Sequence, residues 1–167
     1  PKWQVKDEDA YNSKLADTLN GLLIHKCIPD NIEFADVLKF DGTKCYIYHV
    51  KDNFNCSMRE LDRQVELSMK KLSELLRFSK YFVDLYNRSK NQTKRNDKNE
   101  LYKYFSSAEE FVDKIKNVTQ FIYKIVINVA DKKDILNSES NIAKYCFKHI
   151  LSLSTEYNYE IELCFVK

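Results

Sequence analysis

The chain has 167 residues, 44% of them hydrophobic and 13% aromatic, with only 2 glycines and 2 prolines. That is the length of one ordinary domain with enough apolar side chain for a core, and it excludes a low-complexity or disordered tail. With 27 basic and 25 acidic side chains the net charge is +2, so any nucleic-acid surface has to come from local clustering.

No apolar run approaches the ~20 residues that span a bilayer, and no secretory signal opens the sequence. An intracellular protein, cytoplasmic or nuclear, is expected, with no membrane partner. The start at Pro1 and an apparent strand running up to Lys167 point to a segment of a longer polypeptide. The 5 cysteines are odd in number and form no Cys-x-x-Cys pair, so reduced thiols are expected and a structural zinc site is not.

Residues ~7–26 have Leu15, Leu19, Leu22 and Leu23 at helical spacing and predict a helix. Pro29 and Asp30 end it. In the next stretch Ile32, Phe34, Asp36 and Leu38 fall on one face of a strand and Glu33, Ala35 and Val37 on the other. Asp41-Gly42 predicts a hairpin turn, since glycine reaches positive φ without steric cost. In the returning strand one face carries Cys45, Ile47, His49 and Lys51.

Ser57 and Glu60 have the form of a capping box, in which each side chain binds the other's free backbone N–H. Met58, Leu61, Val65, Met69, Leu72 and Leu76 then step by three and four residues through a helix that continues or restarts at Tyr81–Tyr86. Residues 87–100 contain no apolar side chain and predict an exposed basic loop. Ser106 and Ser107, followed by Glu109 and Glu110, start another helix. Phe121–Val129 suits a buried central strand, Asn137–Ser154 a helix with Ile142, Tyr145, Cys146, His149 and Ile150 on one face, and Tyr159–Val166 a last strand. Helices interleaved with strands predict the α/β class, with one mixed sheet flanked by helices over residues 1–167.

The residues with chemistry lie on the hairpin. Asp36 is an acid on an otherwise apolar strand face, and an unpaired buried carboxylate costs several kcal/mol, so a metal ion or an ion pair with Lys51 is expected beside it. An acid on one strand and His49-x-Lys51 on the next resembles the PD-(D/E)XK, or restriction-endonuclease-like, nuclease superfamily. The element order matches it over most of the chain. The resemblance implies a restriction-endonuclease-like core, Asp36 as the motif's first acid, Lys51 as its lysine, and Gln64 as a helper on the following helix. It implies Mg²⁺ or Mn²⁺ as cofactor, held by Asp36 together with His49 or a backbone carbonyl of the same strand. Two positions depart from the pattern. Ala35 stands where a proline usually precedes the first acid, and His49 stands in place of the second acid.

Glu33 points to the opposite strand face unless a bulge intervenes. His25 can reach the site, as a histidine does in viral cap-snatching relatives, but a surface or core histidine is the simpler expectation. Arg88, Lys90, Lys94, Arg95 and Lys98 can neutralise phosphates or simply be solvated. Two functions follow. One is a metal-dependent nuclease, a hydrolase acting on nucleic acid, DNA ahead of RNA. The other is a catalytically inactive module for protein–protein interaction in a larger effector or defence protein. The missing acid favours the second, and the retained Asp36 and Lys51 favour the first.

Overall fold

A computed structural model describes residues 1–75, 79–92 and 101–167. It is an α/β structure with one five-stranded mixed sheet and helices on both faces. The first helix, α1 (Glu8–Leu19), is capped by Asp7, whose carboxylate accepts the N–H of Ala10 at 2.9 Å. Glu8 and Asp9 in the first turn face the positive end of the helix dipole.

The helix stops well short of residue 26. Asn20 takes the left-handed conformation, φ 50°, and the Gly21 N–H closes onto Ala16 O at 2.8 Å. A Cβ on Gly21 would sit 2.9 Å from Leu38 O, so only glycine lets the chain drop this close to the sheet. Leu22–Leu23 then form β1, an edge strand paired antiparallel with β2 (Val37–Asp41). Their apolar character is the same in either structure, which is why spacing alone extends the helix over them.

The hairpin forms as expected. β2 pairs antiparallel with β3 (Lys44–Lys51) across Gly42, φ 58°. Residues 32–36, however, lie before β2 and not in it. They follow a 3-10 turn, Pro29–Asn31, and three left-handed residues at Lys26, Asp30 and Asn31. The two-residue alternation assumed for Glu33 and Asp36 therefore does not apply.

α2 (Met58–Ser73) buries Met58, Leu61, Val65, Met69 and Leu72. The Ser57–Glu60 capping box does not form. Ser57 is itself helical, its hydroxyl caps nothing, and Glu60 is engaged by Lys51. Asn55 fills the role, with its side-chain oxygen accepting the Ser57 N–H at 2.8 Å.

α3 (Lys80–Gln92) takes up the first six residues of the expected basic loop, with Ser89 buried on its inner side. Residues 93–100 lie outside the described residues. After a short α4 (Leu101–Tyr104), α5 (Ala108–Lys116) starts where the serines placed it. Ser107 caps it, and the Glu110 carboxylate reaches back to the Ser106 N–H at 2.7 Å.

β4 (Gln120–Ile127) runs parallel to β3 on one side and to β5 (Glu160–Phe165) on the other. Between them come α6 (Lys132–Asn137) and α7 (Asn141–Tyr157), capped by Asp131 and Ser140. The strand order is β1-β2-β3-β4-β5. One face of the sheet, with Leu38, Ile47, Tyr123 and Ile125, packs on α2, α3, α5 and α7. The other, with Val37, Tyr48, Val50 and Val126, packs on Tyr11, Leu15 and Ala16 of α1. α7 buries Ala143, Cys146, Ile150 and Leu153, so Cys146 and Ile150 of the expected stripe face the core and the rest of the buried face is rotated from it. Ile142 and Tyr145 face outward.

α2 and α7 are joined by an ion pair, His149 Nδ1 to Asp62 Oδ1 at 2.7 Å. The Asp62 carboxylate raises the imidazole above its ordinary 6.5, against a smaller opposing effect of burial. Because the folded value is the higher one, the pair's stabilisation is complete below the ordinary imidazole value and is lost as pH climbs through the raised one. An NMR titration is expected to place His149 above 6.5, and Asp62→Asn to bring it back.

Candidate metal centre

Asp36 is 3% exposed, and both its carboxylate oxygens are fixed by the chain. Oδ2 accepts the Val50 N–H at 2.8 Å, and Oδ1 accepts from Asn12 Nδ2 at 2.9 Å. Its backbone oxygen accepts the N–H groups of Ile24 and His25 at 3.0 and 3.1 Å, so the residue also holds the segment that follows β1. That segment delivers His25, whose Nδ1 lies 2.7 Å from Asp36 Oδ1 and 3.2 Å from Glu33 Oε1. Its other nitrogen, Nε2, lies 2.8 Å from Asp9 Oδ1. Burial opposes charge on this ring, but Asp36 and Glu33 outweigh it and push its pKa up to about 10.

Glu33 is positioned as firmly. Oε1 accepts the Lys26 N–H at 2.6 Å, and Oε2 accepts from Gln64 Nε2 at 2.6 Å. Burial raises its carboxyl, but the bond to His25 and the Lys26 N–H more than reverse this and hold it below the ordinary value. One ligand atom from each of His25, Glu33 and Asp36 lies within 4.8 Å of the other two. Among the described residues this is the one cluster of three that can hold a metal ion.

The residues predicted from sequence divide around this cluster. Asp36 is a member, and Gln64 supports it through Glu33. His49 is not in the set. It is fully buried, stacked on the Tyr123 ring at 6.1 Å, and neither ring nitrogen has a hydrogen-bond partner. Burial lowers its pKa, partly offset by the Asp36 and Glu33 charges, so the imidazole is neutral. Lys51 does not pair with Asp36. Its ammonium lies 3.2 Å from Glu60 and 3.4 Å from Glu8, and these two acids hold it charged despite burial. Glu8 bridges the two groups electrostatically. Burial raises its carboxyl, Lys51 lowers it and the Asp36 charge raises it again.

Arg88 lies on α3 and donates to Ile28 O at 3.1 Å, and Lys90 lies on the same helix. Lys94, Arg95 and Lys98 lie outside the described residues. Sequence reasoning undervalued His25 and Glu33 and did not single out Glu8, Asp9 or Asn12. Strand alternation misplaced Glu33, and no local signal announces that the Pro29–Asn31 turn folds it back over His25.

The cluster opens into a cleft of ≈ 860 Å³ whose other wall is α2, with Arg59, Glu60, Arg63 and Gln64. Comparison with protein-family models, with curated proteins and with solved structures gives no match to this chain.

The donor set fits a divalent cation. Two carboxylates supply the hard oxygen ligands and charge such ions require, and one imidazole nitrogen shifts the preference from Mg²⁺ toward Mn²⁺. The Asp9 carboxylate on Nε2 fixes the ring so that Nδ1 is the nitrogen presented, as in carboxylate–histidine metal sites. Without an ion, a proton on His25 lets the two acids coexist. Asp36→Ala removes the acceptor of two buried donors, and its cost is expected to be about 1–3 kcal/mol per donor left unpaired. Urea denaturation measures it. Asp36→Asn keeps an oxygen for the Val50 N–H and is expected to cost less.

Proposed function

We propose that the chain is a metal-dependent nuclease domain of the PD-(D/E)XK type, using His25, Glu33 and Asp36 to hold Mn²⁺ or Mg²⁺. The observation that carries this reading is the convergence of one nitrogen and two carboxylates at the end of the hairpin, at the base of an open cleft. The mixed sheet, with a leading helix, a hairpin, a helix and two further parallel strands, supports a restriction-endonuclease-like core.

With His49 in place of the motif's second acid, the strand motif offers one carboxylate, which holds a divalent cation weakly. Glu33 supplies a second carboxylate from the loop before β2, so the count does not depend on position 49. When bound, the ion polarises a phosphodiester and lowers the pKa of a water molecule. The chain's own groups do the rest. Asp9 and Asn12 orient the His25 ring and the Asp36 carboxylate, and Gln64 orients Glu33. Lys51, kept charged by Glu8 and Glu60, supplies positive charge against the negative charge that develops on the phosphate.

Mn²⁺ is expected to raise the melting temperature of the purified protein, since a ligand at a hundred times its Kd stabilises by about 2.7 kcal/mol. The rise disappears in His25→Ala and Glu33→Gln. Single-stranded RNA and plasmid DNA are cut in Mn²⁺, and Lys51→Ala abolishes cutting while leaving the Mn²⁺-induced rise in place. A protein that neither shifts in melting temperature nor cuts either substrate overturns the proposal and leaves the protein-interaction module.

A further inference from the structure

Asn12 follows Asp9 on α1 by one helical turn, so both sit on the face of the helix turned to the cluster. Unlike Asp9, it is wholly buried. Its amide nitrogen touches two members of the cluster at once: Nδ2 lies 2.9 Å from Asp36 Oδ1 and 3.3 Å from His25 Nδ1. Its amide oxygen is buried too, and has no hydrogen-bond partner among the described residues. Supplying a donor to Asp36 does not call for that oxygen, and burying it unpaired costs free energy.

The end of the amide therefore lies against Asp36 Oδ1 and His25 Nδ1, the two atoms that an ion in this cluster has to share. An amide nitrogen offers a metal only N–H donors, whereas an amide oxygen is a hard ligand of the kind divalent cations take. Half a turn about the Cβ–Cγ bond exchanges the two atoms with little change of shape, and that torsion is broad and nearly two-fold. The exchange breaks one hydrogen bond, to Asp36 Oδ1, whose lone pair an ion would then occupy. Away from the cluster it replaces one unpartnered buried atom by another. What occupies the cluster thus decides which way the amide faces.

We propose that Asn12 is a fourth ligand of the metal centre, turning its Oδ1 onto the ion held by His25, Glu33 and Asp36. This rests on the metal-centre reading and adds α1 to the elements that grip the ion.

Mn²⁺ binding, followed by loss of the free-ion EPR signal, and Co²⁺ absorption, which reports the ligand set, test it in the parent, Asn12→Leu and Asn12→Asp. Leucine fills similar space without an oxygen. Aspartate keeps an oxygen but cannot donate to Asp36. Asn12→Leu is expected to weaken Mn²⁺ binding by about tenfold or more and to change the intensity of the Co²⁺ bands. Asn12→Asp is expected to melt lower than the parent without an ion, because it sets another acid against Asp36, and yet to restore Mn²⁺ binding. A role confined to the Nδ2 bond predicts the reverse for aspartate, with binding as weak as in Asn12→Leu. That result, a parent-like affinity in Asn12→Leu, or a Co²⁺ spectrum unchanged in Asn12→Leu overturns the ligand. If Asn12→Leu does not fold, Asn12→Asp decides alone, and binding weaker than the parent's overturns it. A parent that binds neither ion overturns the metal centre and this ligand together. A parent that binds Mn²⁺ and cuts, beside an Asn12→Leu that binds equally well, overturns this ligand and leaves the nuclease reading standing.

Discussion

The buried Asp36 carboxylate holds three parts of the chain in one place. It ties α1 through Asn12, β3 through the Val50 N–H and the post-β1 loop through His25, while its backbone oxygen takes two N–H groups of that same loop. A charge this deep is tolerated only when its lone pairs are taken up, and here they are. The consequence is structural before it is chemical. The loop carrying His25 and the segment carrying Glu33 have little regular structure of their own, and the carboxylate supplies the fixed point they fold against.

Around that point acids and bases alternate. Asp9, His25, Asp36 and Glu33 form one linked group, and Glu8, Lys51 and Glu60 form another beside it. His25 stands among three carboxylates, Asp9, Glu33 and Asp36, which favours its protonated form when nothing else supplies positive charge. A divalent cation would take over that neutralising role with twice the charge, and the proton would leave. The proposed metal-holding state would use the same side chains as the protonated, ion-paired one. Preorganisation of this kind comes from the groups behind the ligands: Asp9 behind His25, Gln64 and the Lys26 N–H behind Glu33, Asn12 and the Val50 N–H behind Asp36.

Much of this was legible in the amino-acid sequence where periodicity is strong. The α2 stripe, the hairpin at Gly42, the cap at Ser107 and the buried β4 run each follow from spacing and residue type. What was not legible depends on single backbone conformations. Asn20, left-handed at the helix end, and Gly21 stop α1 by a local signal that the leucine spacing running on through Leu22 and Leu23 masks, and the close approach to Leu38 fixes the exit. Three left-handed residues at Lys26, Asp30 and Asn31 turn the next segment back on itself and bring Glu33 to His25. Asp30 and Asn31 are residue types that tolerate this region and Lys26 is not, so the run of left-handed residues is fixed by tertiary contacts more than by local preference. Of the residues expected from the motif, Asp36 lies in the cluster and Gln64 contacts Glu33 beside it, whereas strand alternation and the expectation of a simple surface or core histidine rank Glu33 and His25 below them.

His49 shows why a motif read along one strand can mislead about the charge of a site. Alternation on β3 puts it on the same face as Ile47, inward, and stacking against Tyr123 accounts for the ring's orientation. Its two nitrogens have no partners, so its polarity opposes folding and only its stacking favours it. Burial keeps it neutral, so it adds no charge to the cluster either. A carboxylate at the same depth would be a third buried acid next to Asp36 and Glu33, with only His25 between them to offset the repulsion. With Glu33 arriving from the loop, a neutral residue at position 49 is the electrostatically cheaper arrangement, and under the proposed function the second acid would come from the segment before β2.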